Sequence, residues 1–467
     1  MNVHFLRLRE SILSRDAKIS VIGQGYIGLP TALLLADSGF RVVGYDVNPE
    51  IVEELSNGET RMESERGIMD LLLKHLGRNY FPTNDHRELT GSDVIIIAVP
   101  TPRKDGSADL SMVLQAIELS ESTISRGGLI VVESTLPPRT FEGVILTEIR
   151  RAGFRLGEDI FVAYCPERAM PGDLIEELIE SYRVIGAADS GSAELSKILY
   201  KSFVRGDVDV TDPLTAEVSK LVENSYRDVN IAFANEVARI CEALGVDVRK
   251  VREVVNKHPR VKMLVPGIGV GGSCLTKDPL FLYWASREAG YSPELINLAR
   301  SINERMPHHY ADLIDGFIRG KRSEGKGRVC VLGVTYKGDV PDTRESPAGY
   351  LIREMIRRGH EVRVHDPIVR ESFGALFFDR VEEAVEGADA IVIASDHTAF
   401  RKIDLKGLKA LTGEDPVLLL DGRLVLDPSE AESSGFIYAS VGNISSLSEV
   451  IKEISSGKYL IFNEIIS

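Results

Sequence analysis

The sequence contains no continuous apolar run near the ~20 residues that a membrane-spanning helix needs, although 43% of its 467 residues are hydrophobic. Its first sixteen residues carry charged side chains, among them Arg7, Arg9 and Glu10, and therefore lack the apolar core of a signal peptide. With 27% charged residues, the composition is typical of a soluble globular protein. These features argue against a membrane protein.

Cysteine is scarce. The four cysteines, Cys165, Cys241, Cys274 and Cys330, are far apart and show no CxxC spacing. This pattern argues against a disulfide framework and against a zinc site, so we expect no bound metal. A reducing cytoplasm is the expected compartment.

Positive charge is also in deficit, since the formal net charge is -15. Nonspecific binding to nucleic acid or to an anionic membrane needs an excess of positive surface, and the charge argues against both. An anionic small ligand would require local cationic groups that overcome the overall field.

The length predicts two or three domains. Residues 18–46 follow a strand, glycine turn, helix, strand pattern, and the apolar runs 94–99 and 129–132 predict further buried strands. A second region of this kind begins at Arg328, where residues 359–366 and 388–394 repeat the patterns of 39–46 and 92–98. The prediction is an α/β protein with two Rossmann-like, doubly wound parallel-sheet domains joined by a central helical region.

The central region should contain one long helix. Thr211-Asp212-Pro213 provides a cap and a first-turn proline, and the helical periodicity continues to Gly245. That predicts a helix of ~30 residues, about 45 Å long, which could form a dimer core. We predict an N-terminal extension (1–16), an NAD-binding domain (17–210), a central helical dimerisation domain carrying Cys274 (211–319) and a second Rossmann-like domain (320–467), with a linker at 320–327.

Gly23-Gln24-Gly25-Tyr26-Ile27-Gly28 matches the dinucleotide-binding pattern GxGxxG between a predicted strand and helix, and Asp46 ends the next predicted strand. The glycines would permit the turn, the approach of the pyrophosphate and close helix packing. Asp46 could accept hydrogen bonds from a ribose diol, and no arginine follows to balance a 2′-phosphate, so NAD is favoured over NADP. The alternative is a glycine turn that binds no nucleotide.

Two further groups of polar residues have a functional and a structural interpretation. Thr101 and Thr135 follow predicted strands at the carboxyl edge of the sheet, where they could contact a cofactor or only form turns. Lys220, Asn224 and Arg227 lie at i, i+4 and i+7 on one helix face. They are either a solvated polar stripe or donors to an oxyanion.

Cys274 lies in a glycine-rich segment that continues to Lys277 and Asp278. Backbone N–H groups and a nearby cation would favour a nucleophilic thiolate, whereas most free cysteines are buried apolar residues. Several other basic residues are either surface charges or the cations that a diphosphate ligand needs: His258, Arg260, Lys337, Arg344 and Arg423.

Seven motifs occur in a fixed order over nearly the whole chain: GQGYIGLP, VPTP, EST, CPER, KLVEN, GVGGSCLTKDP and GVTYKGDVPDTRESP. This series resembles the UDP-glucose/GDP-mannose dehydrogenase family. The resemblance implies a four-electron oxidation of the C6 alcohol of a nucleotide sugar to a carboxylate, with two NAD+ consumed. Cys274 would capture the aldehyde as a thiohemiacetal, a second hydride transfer would give a thioester, and water would cleave it.

The resemblance also implies roles for individual residues. Lys220 and Asn224 would stabilise the developing oxyanion, with Lys220 also an acid/base group, and Asp278 would order lysine and water. Thr135 and Glu167 would lie near the reacting carbon and the hydrolytic water. The implied NAD contacts are Gly23, Gly25, Tyr26, Ile27, Gly28, Asp46, Thr101, Thr135, Lys277 and Arg344. The implied substrate contacts are Arg168, Ala169, Lys220, Asn224, Arg227, His258, Arg260, Gly271, Tyr336, Lys337 and Arg423, with Arg260 supplied by the partner subunit of a homodimer or larger homo-oligomer.

The expected substrate is a UDP-N-acetylhexosamine. Glucose-oxidising relatives commonly show PEFLxEG, whereas this chain has Pro166-Glu167-Arg168-Ala169-Met170-Pro171-Gly172. Together with Arg227 and the segment around His258, this resembles the branch that acts on N-acetylated sugars, and we expect conversion of UDP-N-acetyl-D-mannosamine to its uronate.

UDP-N-acetylglucosamine and UDP-glucose are the alternative substrates. A non-catalytic NAD or UDP-sugar sensor, and a two-electron hydroxyacid dehydrogenase, are the alternatives from other classes. The latter would need neither the thiol nor a second nucleotide-like domain.

Overall fold

The computed structural model describes residues 2–322, 324–414 and 416–454. The chain forms two compact units, here called unit 1 (Met1–Glu223 and Leu280–Ser292) and unit 2 (Asn224–Pro279 and Pro293–Ser467). Four parts of the predictions lie outside the described residues: Met1 of the predicted extension, Ser323 of the predicted linker, and Asp415 and residues 455–467 of the predicted last domain. The bounds of the four predicted segments stay a prediction.

Unit 1 alternates strands and helices, as predicted for residues 18–46 and beyond. Its helices are α1 (Val3–Ser14), α2 (Gly28–Asp37), α3 (Pro49–Ser56), α4 (Ile68–His75), α5 (Ser111–Thr123), α6 (Leu146–Arg151), α7 (Leu174–Glu180) and α8 (Ser190–Tyr200), with a short 3-10 turn at His86–Leu89 and a π turn at Phe141–Ile145. Its strands are β1 (Lys18–Ile22), β2 (Arg41–Tyr45), β3 (Tyr80–Thr83), β4 (Ser92–Ile97), the short pair β5 (Arg103–Lys104) and β6 (Ser107–Ala108), β7 (Ile124–Val132), β8 (Ile160–Tyr164), β9 (Arg183–Ala187) and β10 (Val208–Thr211).

Among the described residues of unit 1, eight strands form one sheet in the order β10-β9-β8-β7-β4-β1-β2-β3. Neighbouring strands are parallel with one exception: β9 runs antiparallel to β8, with Tyr164 opposite Gly186. Antiparallel strands toward the edge of a doubly wound sheet are common. The reversal places the first residue of β9, Arg183, at the edge where β8 ends.

The sheet of unit 1 is buried on both faces, as expected for a parallel sheet covered by helices. Along β4, Val94 and Ile96 belong to one apolar cluster and Ile95 and Ile97 to another. Alternate residues of a strand point to opposite faces, so the continuous apolar run in the sequence follows from the two helical layers.

Two helices in the described part of the chain contain residues of both units. They are α9 (Pro213–Leu244) and α11 (Asp278–Glu288). The predicted long helix is confirmed in α9, which has 32 residues. Asp212 accepts a hydrogen bond from the N–H of Thr215, and Gly245 follows the helix with a φ of +67°.

Unit 2 contains the second predicted sheet. Its other helices are α10 (Val248–Val255), α12 (Glu294–Lys321), α13 (Pro347–Arg357), α14 (Val381–Val385), α15 (Leu405–Leu411), α16 (Pro428–Ser433) and α17 (Ser445–Ile454), with a 3-10 turn at Thr398–Lys402. Its strands are β11 (Arg328–Leu332), β12 (Glu361–His365), β13 (Leu376–Phe377), β14 (Ala390–Ile393), β15 (Leu418–Asp421) and β16 (Ile437–Ser440).

In the described part of unit 2, six parallel strands are ordered β13-β12-β11-β14-β15-β16. This order repeats β3-β2-β1-β4-β7-β8 of unit 1, and both are the 3-2-1-4-5-6 arrangement of dinucleotide-binding folds. The predicted fold class, two Rossmann-like sheets with a long helix between them in sequence, is confirmed.

Candidate active site

The glycine turn of unit 1 connects β1 to α2 and gives each glycine different surroundings. Gly23 has a φ of +92°, a conformation that favours glycine. A Cβ on Gly28 would overlap the carbonyl oxygen of Gly23, so the third glycine permits close packing. No described heavy atom lies within 4 Å of a Cβ placed on Gly25. The open side at Gly25 fits a pyrophosphate that approaches the N-terminus of α2.

Asp46 follows β2 and lies beside this turn. One carboxylate oxygen accepts a hydrogen bond of 2.8 Å from the N–H of Gln24, and the other accepts one of 2.9 Å from the N–H of Asn48. These bonds fix the carboxylate, while each oxygen keeps a further lone pair for a ribose hydroxyl. Tyr26 and Ile27 are half-buried in the turn.

Thr101 and Thr135 follow adjacent strands, β4 and β7. The Ser134 hydroxyl binds both the N–H of Val99, at 2.9 Å, and its carbonyl oxygen, at 2.7 Å, which joins the two loops. Thr101 is buried and Thr135 is half-buried. Both threonines thus lie at the carboxyl edge of the sheet, on the β4 side of β1, where such folds bind ligands.

Glu167 follows β8 and is held on both oxygens. Oε1 accepts hydrogen bonds from the N–H groups of Arg168 (2.7 Å) and Ala169 (2.8 Å). Nη2 of Arg183 lies 2.7 Å from Oε2, an ion pair that does not meet hydrogen-bond geometry. The carboxylate therefore has a fixed position next to a buried cation.

Arg168 was predicted to bind substrate, and the structure gives its guanidinium a protein partner. Nε lies 2.8 Å from Oε2 of Glu223, and the guanidinium lies 5.1 Å from the ring centre of Tyr182. Glu223 directly precedes Asn224 on α9, so Arg168 links the loop after β8 to this part of the helix.

In unit 2, Cys274 is exposed on a turn that leads into α11. Its carbonyl oxygen accepts a 2.9 Å hydrogen bond from the N–H of Asp278. The preceding Gly272 has a φ of +83° and donates its N–H to the carbonyl oxygen of Arg344. A Cβ on Gly271 would lie 2.6 Å from Cβ of Tyr336. The two glycines therefore allow the cysteine loop to pack closely on the loop that carries Tyr336.

Asp278 is fully buried and bound by two of the predicted site residues. Its Oδ2 accepts a hydrogen bond of 2.7 Å from the side-chain amide of Asn224. Its Oδ1 lies 2.7 Å from Nζ of Lys277, which was predicted to contact NAD. Lys220 lies one turn before Asn224 on α9, and both side chains are buried. The interpretation of this helix face as a solvated stripe is therefore wrong at these two positions.

A buried polar network connects Gly267 and Leu275, which lie before and after the glycine-rich part of the Cys274 loop, to α9 and α12. Arg300 donates to the carbonyl oxygen of Leu275 at 3.1 Å and to Asp228 at 2.7 Å. Asn303 also donates to Asp228, at 2.8 Å. The side-chain amide of Asn235 donates to the side-chain oxygen of Asn303 at 2.9 Å. The N–H of Gly267 donates to the side-chain oxygen of Asn235, also at 2.9 Å.

The predicted substrate residues Gly271, Tyr336, Lys337 and Arg423 are brought together at the carboxyl edge of the second sheet. Asp396 connects two of their loops, because its Oδ1 accepts from Nη2 of Arg423 at 2.9 Å and from the N–H of Gly338 at 3.0 Å. Burial alone would raise the pKa of Asp396, but the charge of Arg423 and these hydrogen bonds hold it below its ordinary value.

Four other predicted residues lie on the surface. Arg227, His258 and Arg260 are exposed, and the N–H of Arg260 donates to Nδ1 of His258 at 3.3 Å. Arg344, predicted to contact NAD, is exposed and pairs with Asp342.

The turn after β11 repeats the geometry of the turn after β1, but side chains fill it. Gly333 has a φ of +89°, and Asp366 accepts from the N–H of Val334 at 2.7 Å, as Asp46 does from Gln24. Thr335 stands where unit 1 has Gly25. Nε2 of His397, a fully buried residue, lies 3.1 Å from Asp366 and 3.0 Å from Thr335.

Sequence reasoning missed Arg183, Asp396 and His397. Asp396 and His397 come two and three residues after an apolar run that was predicted as a strand, a position that could have marked them. Arg183 precedes the apolar run 184–187, but its position at the carboxyl edge depends on the reversal of β9, which the sequence does not reveal.

Within the described ranges, no group of three or more His, Cys, Asp and Glu side chains could hold a metal ion. No helix in the described part of the chain combines the length and apolar character needed to cross a membrane.

Models of the UDP-glucose/GDP-mannose dehydrogenase family match three segments of the chain. Residues 17–204 match the NAD binding domain, 214–305 the central domain and 330–428 the UDP binding domain.

Individual proteins are similar over most of their length. UDP-N-acetyl-D-mannosamine dehydrogenase from Pyrococcus horikoshii is 41% identical over 432 residues, which cover 91% of this chain and 99% of that protein. The enzyme of this name from Methanococcus maripaludis is 39% identical over 432 residues, 91% of this chain and 97% of that protein. The solved structure of the UDP-D-ManNAc dehydrogenase from Pyrococcus horikoshii matches with a TM-score of 0.85 at 39% identity, covering 92% of this chain and all of that one.

Proposed function

The chain belongs to the UDP-glucose/GDP-mannose dehydrogenase family, and from this premise we propose that it oxidises UDP-N-acetyl-D-mannosamine to UDP-N-acetyl-D-mannosaminuronate with NAD+. The observation that carries the proposal is the exposed Cys274 on a turn that ends at the buried Asp278, itself bound to Asn224 and Lys277. The names of the Pyrococcus and Methanococcus relatives support this choice of sugar.

The residues of unit 1 fit NAD. The open side at Gly25, the packing contact at Gly28 and the fixed carboxylate of Asp46 provide a place for the pyrophosphate and the ribose. Tyr26, Ile27, Thr101, Thr135, Lys277 and Arg344 are the other proposed contacts. When bound, NAD+ accepts the hydride in each of the two oxidations.

The chain's own residues hold the sugar between the two oxidations. The Cys274 thiolate forms a carbon–sulfur bond to C6 of the aldehyde, and Lys220 and Asn224 donate to the oxygen that gains negative charge. In the first oxidation Lys220 accepts the proton of the C6 hydroxyl. It returns this proton to complete the thiohemiacetal and accepts it again in the second oxidation. Asp278 holds Asn224 and Lys277 in place through its two bonded oxygens.

The resulting thioester is cleaved by water. Glu167 accepts a proton from the water as its oxygen adds to C6, the carbon–sulfur bond breaks, and Cys274 leaves as the thiolate. One alcohol and one water thus become one carboxylate, with two hydrides removed.

We propose that Gly271, Tyr336, Lys337 and Arg423 hold the UDP-sugar, together with Arg168, Ala169, Arg227 and His258. Asp396 sets the position of Arg423 relative to the loop of Lys337. A cation held in place by a carboxylate is well suited to a diphosphate.

We also propose a homodimer formed through α9. Five exposed apolar residues fall within about 40° of one another around this helix at 100° per residue: Val222, Tyr226, Phe233, Ile240 and Leu244. A continuous exposed apolar stripe is typical of an interface. In the dimer Arg260 would reach the site of the partner subunit. A reducing cytoplasm would preserve the exposed thiol of Cys274.

The proposal is tested by the stoichiometry of purified protein with NAD+ and UDP-N-acetyl-D-mannosamine. We expect two NADH and one uronate per sugar, and lower kcat/KM with UDP-N-acetylglucosamine and UDP-glucose. One NADH per sugar would contradict the four-electron reaction, and a preference for another sugar would reassign the substrate.

Replacing the cysteine gives a second test. Cys274→Ser should abolish turnover while NAD+ and UDP-sugar binding, measured by calorimetry, stay near wild type, because the side chain is exposed and serine is close to it in size. Ser273→Ala is the comparison on the same loop: it removes a hydroxyl that lies 3.9 Å from Sγ of Cys274 but leaves the thiol in place, and it should retain turnover. Full activity of Cys274→Ser would remove the thiol from the mechanism.

A further inference from the structure

Arg183 is a buried guanidinium shared by two carboxylates at the carboxyl edge of the first sheet. Its side chain is 4% exposed. Nη2 lies 2.7 Å from Glu167 and Nη1 lies 3.3 Å from Oε1 of Glu133. The guanidinium also lies 4.6 Å from the ring centre of Tyr200 and 5.5 Å from that of Phe203. Two ion pairs and two aromatic faces define its position.

The strand order explains how these groups meet. Glu133 follows the end of β7 and Glu167 follows the end of β8, and both strands point the same way. Because β9 runs antiparallel to β8, its first residue, Arg183, lies at the edge where those two strands finish. A parallel β9 would have placed this arginine at the opposite edge of the sheet.

Glu133 is itself anchored. Its Oε1 accepts a 2.7 Å hydrogen bond from the Tyr200 hydroxyl, and its Oε2 accepts a 3.4 Å bond from Thr31 on α2. Burial raises the pKa of Glu133 to about 7, against the lowering effect of Arg183, while the negative charge of Glu167 raises it further. Glu133 thus meets Arg183 from a position that two hydroxyl groups fix.

The remaining oxygen of Glu167 accepts the N–H groups of Arg168 and Ala169. The orientation of the carboxylate is thus set from two sides, by the backbone at Oε1 and by Arg183 at Oε2. A proton acceptor must be held in its productive geometry, and a displacement of about 1 Å costs roughly a hundredfold in rate.

We propose that Arg183 is a positioning residue that holds the Glu167 carboxylate in the orientation needed to accept a proton from the water that cleaves the Cys274 thioester. Glu133, with Tyr200, anchors Arg183 from its other side. The inference rests on the proposed function, because it assigns a role in the last step of that reaction. In this step a water oxygen bonds to C6, its proton passes to Glu167, and the C6–Sγ bond breaks with its electrons on Cys274.

The test separates oxidation from hydrolysis in rapid-quench experiments on the full chain. With Arg183→Lys, a burst of two NADH per site should form at close to the wild-type rate, followed by a steady state roughly tenfold to a hundredfold slower. The acyl group should accumulate on Cys274, detected by mass spectrometry of the denatured chain. Lysine keeps the charge but cannot contact both carboxylates in the same way.

Two comparisons sharpen the result. Glu167→Gln should give the same burst and accumulation, and the double variant should be no slower than Glu167→Gln alone, because both changes act on one group. Arg205→Lys is the matched control, since Arg205 forms an exposed ion pair with Glu180 in the same unit, and it should behave as wild type.

Equal slowing of the burst and the steady state in Arg183→Lys, or additive effects in the double variant, would overturn the proposal. If Arg183→Lys does not fold, Glu133→Ala provides a second test, because it removes one anchor of Arg183 and leaves Glu167 to balance the guanidinium. The Glu133→Ala variant should also accumulate acyl-enzyme. Hydrolysis at the wild-type rate in this variant would overturn the proposal. Wild-type protein that fails to form two NADH from any UDP-sugar would instead contradict the proposed function.

Discussion

Gly25 and Gly28 stand three residues apart in one turn and have opposite surroundings. A Cβ would enter open space at Gly25 and would overlap backbone at Gly28. The same substitution should therefore affect ligand binding at one position and folding at the other.

We expect Gly25→Ala to leave the thermal midpoint within a few degrees of wild type while weakening NAD+ binding by about tenfold or more, since the added methyl group would occupy the side open to the pyrophosphate. Gly28→Ala should lower the midpoint or prevent folding, because α2 would have to move away from Gly23. Thermal unfolding and calorimetric titration with NAD+ check the pair. Equal NAD+ affinity of Gly25→Ala and wild type would contradict this assignment of the turn.

Glu133 provides a prediction for the dependence of stability on pH. Its folded pKa of about 7 lies above its ordinary value of 4.5, chiefly through burial. The folded protein thus holds this proton more tightly than the unfolded chain, so its contribution is fully present below pH 4.5 and is lost as the pH rises to about 7. At about 1.4 kcal/mol per unit of pKa, the loss is at most about 3.5 kcal/mol.

Glu133→Gln should remove this contribution, so that the urea midpoint of the variant falls less between pH 5 and pH 7.5 than that of wild type. Urea titrations monitored by circular dichroism at several pH values measure the difference. If the urea midpoints of the two proteins change equally with pH, ionisation of Glu133 does not destabilise the folded protein, which would contradict the prediction.

At the scale of elements, the capping residues and periodicity of α9 predicted its ends, and the glycine turn with Asp46 predicted the cofactor half of the candidate site. These signals are local in sequence. The direction of β9 has no local signal, because it depends on which strands pair in the sheet. Arg183 was missed for that reason. The 28 residues of α12 include Pro307, a residue that normally ends a helix, and that helix was not predicted.

Helix α1 lies in the predicted N-terminal extension, and the structure shows it packed onto the rest of unit 1. Leu8 and Ile12 are fully buried, the Asn2 side chain donates to the carbonyl oxygen of Glu158 at 2.9 Å, and Phe5 makes an edge contact with Phe161 of β8. We infer that α1 stabilises the sheet of unit 1 from the face that carries Phe161.

Leu8→Ala should destabilise the protein by about 2–5 kcal/mol, the usual cost of a cavity at a buried leucine. Leu6→Ala, in the same helix but 44% exposed, should change the stability by less than about 1 kcal/mol. Chemical denaturation of both variants, with NAD+ affinity as a control for the intact site, decides whether α1 is an integral element. Equal stability of the two variants would contradict the packing described.

At the scale of the whole molecule, the apolar stripe on α9 predicts a dimer. Phe233→Glu should convert the dimer to monomers in sedimentation experiments, because it places a charge in the middle of the stripe. Leu73→Glu is the matched control, since it introduces the same charge at an exposed apolar residue of α4, away from the stripe in sequence, and it should leave the assembly unchanged. Dimers of Phe233→Glu at micromolar concentration would place the interface elsewhere.

The partner's contribution of Arg260 can be tested by mixing inactive chains. Arg260→Ala and Cys274→Ser should each be inactive alone. If Arg260 acts in the partner's site, denaturing and refolding an equal mixture should restore about a quarter of wild-type activity, since half of the dimers are mixed and each has one complete site. No recovery would mean that both residues act in the same chain's site.

Thr335 and His397 fill the turn of unit 2, so the described part of each chain leaves one dinucleotide turn, at Gly25, for the proposed reaction, in which two hydrides are removed. NADH must then leave and a second NAD+ must bind while the sugar is only half oxidised. An aldehyde held by weak contacts could escape during this exchange. In the proposed mechanism the covalent bond to Cys274 retains the sugar, provided that the thiohemiacetal lasts longer than the exchange takes.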